Sequence, residues 1–218
     1  MKLYIFPHSP YARKIQIVLD LIGVKYTSVD VPYSDRSELV ALTGGYVHVP
    51  VLEDDGAVIF DSRKIAEHLI ARRGGAALVP PGSDGPIWAY ADWVDGPLED
   101  ILFRIASPSV RDRWATANDR ALYTIIKERK FGTGCVDAWH KSRAELIDKG
   151  RALLAPTART LAQRPFIMGD RPTLADATLY GQFGMLSADP SFPPAALGEP
   201  FPAWMARVAA ERKTTISV

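Results

Sequence analysis

One cysteine, Cys135, stands in 218 residues. A lone cysteine builds no disulfide framework, so a reducing compartment is the default expectation. Excess charge of either sign is also lacking. Twenty-six Lys and Arg face 25 Asp and Glu, a formal net charge of +1, which excludes bulk attraction to nucleic acid or an anionic membrane surface as the basis of function. No apolar run nears the ~20 residues of a membrane helix. The opening run Met1–Phe6 is stopped by Pro7, His8 and Ser9, too short for a secretory signal. The four histidines (His8, His48, His68, His140) are scattered, and Cys135 has no partner at ligand spacing, so no metal is expected. Repeats and low-complexity tracts are missing too. The expectation left is a soluble, cytoplasmic protein. Its 47% apolar and 23% charged residues can fill one large domain or two small ones.

The first third alternates strand and helix signals. Leu3–Phe6 reads as a short buried strand. Pro10–Ile22 reads as a helix, with Ile15, Val18, Leu19 and Ile22 on one face, Ser9 at the N-cap and Gly23 as the stop. Tyr26–Val31 is a second strand, and Ser34–Thr43 a loop or weak helix. Val49–Leu52 and Ala57–Phe60 flank Asp55-Gly56, a strong hairpin signal. Ser62 is expected to cap a helix to about Arg72. The order β-α-β-(α)-β-β-α implies a mixed four-stranded sheet. Residues 76–86, rich in Gly, Pro, Ser and Asp, read as a linker between a domain of residues 1–75 and one of 87–218. Beyond the linker only helix signals remain. They lie at Ile87–Ala106 (interrupted at Pro97), Asp119–Lys130, Ala138–Gln163 with a bend at Pro156, Thr173–Leu186 and Pro202–Arg212. The fold class expected is α/β followed by all-α.

Three local motifs could carry chemistry. Ser9-Pro10-Tyr11-Ala12-Arg13-Lys14 places a hydroxyl and free N–H groups at a helix N-terminus, where an anion is favoured; a plain N-cap has the same pattern. In Tyr46-Val47-His48-Val49-Pro50-Val51-Leu52, a cis Pro50 would turn the Val49 backbone toward an added peptide strand; an edge-strand proline is the plainer alternative. Asp61-Ser62, at a helix start, can hold an amino acid's ammonium and carboxylate, or simply cap. A hydrolase triad built on Ser9 lacks the glycine-flanked elbow.

Together and in this order, these motifs resemble the glutathione transferase family in its bacterial, serine-type form. The Ser9–Lys14 segment is similar to the glutaredoxin Cys-Pro-Tyr-Cys motif with serine for the first cysteine and Ala12 for the second, so dithiol exchange is not expected. The resemblance implies a thioredoxin-like domain that binds glutathione, and an all-helical domain that adds the electrophile site. It implies Ser9 as the catalytic residue. It gives glutathione binding to His48, Val49, Pro50, Asp61 and Ser62, with Asp61-Ser62 at the γ-glutamyl end. Gly169–Asp176 matches the family's buried capping box, in which Thr173 and Asp176 are structural. Tyr11, Phe103 and Ser107 are the candidate electrophile site, within a wall spanning Trp88–Ser107 and Trp114. A homodimer follows from the same resemblance, with Tyr46 as a possible plug into the partner.

Glutathione's thiol, at a reference pKa near ~8.5, must fall about two units to be mostly thiolate, which takes roughly 2.7 kcal/mol. A hydroxyl bond to the charged sulfur at ~1.5–3 kcal/mol, with a helix dipole at up to ~2, suffices. The expected reaction joins the thiolate to an apolar electrophile. Isomerase, dehalogenase and ether-cleaving lyase chemistry on the same fold are alternatives. So is a non-catalytic binding protein.

Overall fold

The computed structural model describes residues 1–213. Local signals set its first helix. The Ser9 hydroxyl oxygen accepts from the Ala12 N–H at 3.2 Å and caps Pro10–Ile22 (α1), while Gly23 ends it at φ 78°, a left-handed position that disfavours any side chain. Lys2–Ile5 (β1) leads into α1, and Thr27–Asp30 (β2) pairs parallel to β1, so α1 is a crossover helix. Ser37–Thr43 (α2) follows as a formed helix.

Val51–Asp54 (β3) and Ala57–Phe60 (β4) are an antiparallel hairpin. Its two turn residues, Asp55 and Gly56, have φ 48° and 81°, as a tight hairpin needs. β3 also pairs antiparallel with β1, which gives the order β2-β1-β3-β4. The third strand begins two residues later than the sequence suggests. Val49 and Pro50, joined by a cis bond, stand outside the ladder, to which Pro50 has no N–H to give.

Asp61, not Ser62, caps the next helix, Ser62–Arg72 (α3). One Asp61 oxygen accepts from the N–H groups of Arg63 and Lys64, at 2.9 and 3.2 Å. Both residue types cap well, and sequence alone does not choose between neighbours.

The stretch read as a linker is partly ordered. A 3-10 turn at Gly75–Leu78 buries Leu78, and Asp84–Trp93 (α4) starts inside it. A π-helical turn, Val94–Leu98, takes up Pro97 and leads into Glu99–Arg113 (α5). Ala117–Phe131 (α6), Cys135–Lys141 (α7), Arg143–Leu161 (α8), Leu174–Leu186 (α9) and Pro200–Ala210 (α10) complete the helices. The span read as one helix from Ala138 to Gln163 is thus two, broken at Ser142, with Pro156 inside α8. A thioredoxin-like α/β unit followed by helices is the class the sequence implies.

The two parts meet where α9 lies against α1. A Cβ on Gly181 would fall 2.5 Å from the Pro10 carbonyl oxygen and 2.9 Å from the Lys14 nitrogen, so only glycine permits this approach. Lys14, buried, reaches Asp95 at 2.5 Å across the same boundary. The start of α9 is held by Asp176, which is fully buried. It accepts from Ile167 N–H (3.0 Å), Thr173 N–H (2.9 Å), the Thr173 hydroxyl (3.1 Å) and Trp204 Nε1 (2.9 Å).

Candidate glutathione site and substrate cavity

Ser9 sits where β1 gives way to α1, half-buried, on the wall of a cavity of about 330 Å³. Its oxygen accepts from Ala12, which leaves its own proton free to donate outward. Pro10 has no N–H, and the Arg13 N–H is spent on the Ser9 carbonyl. The Tyr11 N–H therefore remains at the helix start, next to the hydroxyl. An anion placed there meets two donors and the positive end of a helix. The nearby tyrosines do not compete for this role. Tyr4 is tied to Glu53 Oε1 at 2.5 Å inside the sheet, and the Tyr11 hydroxyl donates to the Asp95 carbonyl at 3.1 Å. Burial raises the pKa of both phenols.

Val49 and His48 line the same cavity. Among the described residues, no backbone hydrogen bond outside the helices and strands uses the Val49 N–H or C=O. A peptide strand laid beside it would find both free. Asp61 stands at φ 77° and ψ 125°, a strained conformation for a residue with a side chain, and strain of this kind collects at ligand clamps. One carboxylate oxygen caps α3, and among the described residues the other makes no hydrogen bond. Ser62 is buried beside it. Asp61, Ser62 and Pro50 are not on the cavity wall itself.

Comparison with known proteins bears on the fold that carries these residues. Residues 3–77 match the family described as Glutathione S-transferase, N-terminal domain. Over these residues the chain is similar to glutathione transferases. A glutathione S-transferase of Arabidopsis thaliana is 26% identical over 182 residues, 81% of this chain and 77% of that protein. The crystal structure of a Ceriporiopsis subvermispora glutathione S-transferase in complex with glutathione superposes with a TM-score of 0.81 at 20% identity, covering 96% of this chain and 95% of that one. A maleylacetoacetate isomerase of Anaeromyxobacter dehalogenans superposes with a TM-score of 0.61 at 26% identity, covering 96% and 88%. The glutathione transferase fold thus hosts both transfer and isomerisation among this chain's relatives.

Tyr11 and Phe103 line the cavity, as does Trp114. Ser107, expected on the wall, does not. It is fully buried, and its hydroxyl pairs with the Tyr123 hydroxyl at 2.8 Å; it is the Tyr123 ring that faces the cavity. Trp88 is also absent from the wall and lies under the Arg63 guanidinium, 4.4 Å from its centre. Tyr46 stacks on Phe60 of its own sheet at 4.6 Å.

Sequence reasoning singles out none of several further wall residues, among them His8, Arg36, Glu99 and Lys127. Burial, together with Arg13 and Arg113, lowers the His8 imidazole to about 4, so it is neutral at physiological pH. Burial raises the Glu99 carboxyl to about 7 and lowers the Lys127 ammonium to about 8. Arg36 lies over the rings of Phe6 and Tyr33 and donates to the Val47 carbonyl at 3.0 Å. A cation three residues after Tyr33 was visible in the sequence. Its convergence with His48 was not. Among the described residues, no cluster of acidic, His or Cys side chains could hold a metal, and no helix is long and apolar enough to cross a membrane.

Proposed function

We propose that this protein binds glutathione and uses Ser9 to hold its sulfur as a thiolate, which then attacks an electrophilic carbon of a largely apolar small molecule. The carrying observation is the Ser9 hydroxyl at the N-terminus of α1, engaged only as an acceptor, on a cavity shared with Val49. In this reading the cysteinyl backbone pairs with Val49, the γ-glutamyl group takes Asp61 and Ser62, and His48 stands near the peptide. The aromatic wall of Phe103, Trp114 and Tyr123 receives the electrophile. The sulfur–carbon bond forms as the leaving group departs with its electron pair, or as a double-bond pair shifts away. Holding both reactants in one cavity removes entropy from the barrier. We further propose a cytoplasmic homodimer, as the family resemblance implies.

Ser9→Ala tests the assignment. Glutathione affinity should stay within a few fold, because the backbone and γ-glutamyl contacts remain. Turnover of a generic electrophile at neutral pH should fall about 10–100-fold, each tenfold being ~1.4 kcal/mol, and should partly recover at higher pH. Thiolate absorbance titrations and pH–rate profiles that coincide for the two proteins would show Ser9 to be an N-cap and nothing more.

A further inference from the structure

The charges on the cavity wall are not paired with one another. Lys127, on α6, is half-buried, and its ammonium lies 4.7 Å from the Phe103 ring centre and 4.8 Å from that of Tyr123. Among the described residues, its Nζ has no hydrogen bond and no ion pair, and no ion pair joins it to Glu99 on the same wall. By contrast, buried Lys14 is spent on Asp95, and the half-buried Arg143 and Arg212 on Asp189 and Asp20, while half-buried Arg13 and Arg36 donate to backbone carbonyls. A desolvated ammonium between two aromatic faces, open to a cavity, is a receptor for an anion attached to a planar apolar body. The thioredoxin-like half already offers His48 and Arg36 to the anionic end of glutathione. Lys127 comes from the opposite, helical half, which faces the second substrate.

Building on the glutathione reading above, we infer that the second substrate is an aromatic or conjugated electrophile carrying a carboxylate. Its ring lies against Phe103, Trp114 and Tyr123, and its carboxylate takes the Lys127 ammonium. The rings supply apolar contact to many compounds alike, whereas the ammonium discriminates, because a neutral analogue leaves it desolvated and unpaired.

A matched pair of product conjugates tests this without depending on turnover. One is glutathione joined to a dinitrobenzene ring; the other is the same conjugate with a ring carboxylate. Calorimetry with the wild type should find the carboxylate conjugate bound about tenfold more tightly. Lys127→Met should abolish that difference while leaving affinity for glutathione itself unchanged. Lys127→Arg should retain it. Thermal melting of each variant checks that the fold is intact. Equal binding of the two conjugates by the wild type would overturn the inference, as would a preference that survives Lys127→Met. An equal loss of affinity for glutathione and both conjugates in Lys127→Met would also overturn it, by moving Lys127 to the glutathione subsite. A wild type that binds conjugates without discrimination leaves the glutathione reading standing. One that binds no glutathione overturns both.

Discussion

His8 shows how a single buried group sets a pH limit. Its imidazole is held at about 4, against an ordinary 6.5, by burial and by the positive charges of Arg13 and Arg113, and its Nδ1 is buried without a partner. Between those two values the unfolded chain takes up a proton that the native protein refuses. Stability contributed by the neutral ring is therefore present above pH 6.5 and is lost as pH falls toward about 4. His8→Asn should flatten the decline in melting temperature over that window. Parallel slopes for wild type and variant would show that other groups govern the acid limit. Sequence reading had seen His8 only as the residue that ends an apolar run, because its neighbours arrive from elsewhere in the chain. Ser9 was legible for the opposite reason. Its partners are the next few residues, and a hydroxyl before Pro10 and a helical repeat carries its own local signal. Asp61 falls between the two cases. The helix start was plain, but the choice of Asp61 over Ser62, and the φ of 77° that comes with it, depends on how β4 enters α3.

At the level of elements, the α1 caps and the hairpin turn are legible in the sequence, and what packs over a helix face is not. α1 runs from Pro10 to Ile22 between its expected stops, and the Asp55-Gly56 hairpin forms where it was placed. Ser107 shares the face of α5 that carries Phe103 and Val110, yet Tyr123 covers it, because periodicity shows that a helix has a buried face without saying whether a cavity or another side chain lies against each position. The start of α9 carries more than its sequence suggests. A capping box on its own is worth about 0.5–2 kcal/mol. Here Asp176 also receives Ile167 from the preceding loop and Trp204 from α10. Asp176→Ala strands four donors that are buried or nearly so, and should cost about 3 kcal/mol or more. Chemical denaturation measures this directly, and activity per folded molecule should be retained. A normal unfolding midpoint with lost activity would reverse the structural reading of Asp176.

For the whole molecule, the cavity is the feature least visible in advance. Ser9, Arg36, Val49, Trp114 and Lys127 come from separate stretches of chain and meet only when α5 and α6 close over the sheet. The proposed homodimer belongs to this scale. Sedimentation at micromolar concentration should give a species of twice 24.0 kDa, and a species at the monomer mass would reject it. Tyr46, stacked on its own Phe60, retains at most part of its surface for a partner.

The contact at Gly181 reaches further than packing. Because the Pro10 carbonyl and the Lys14 amide lie directly against α9, the first turn of α1 cannot loosen without parting from the helical half. The turn that bears Ser9 is thus stiffened by a segment made at the far end of the chain. Translation makes the Ser9 turn early and its packing partner, α9, late. An isolated thioredoxin-like half would keep Ser9, Val49, Asp61 and Ser62 and lose the contact that braces the first turn of α1.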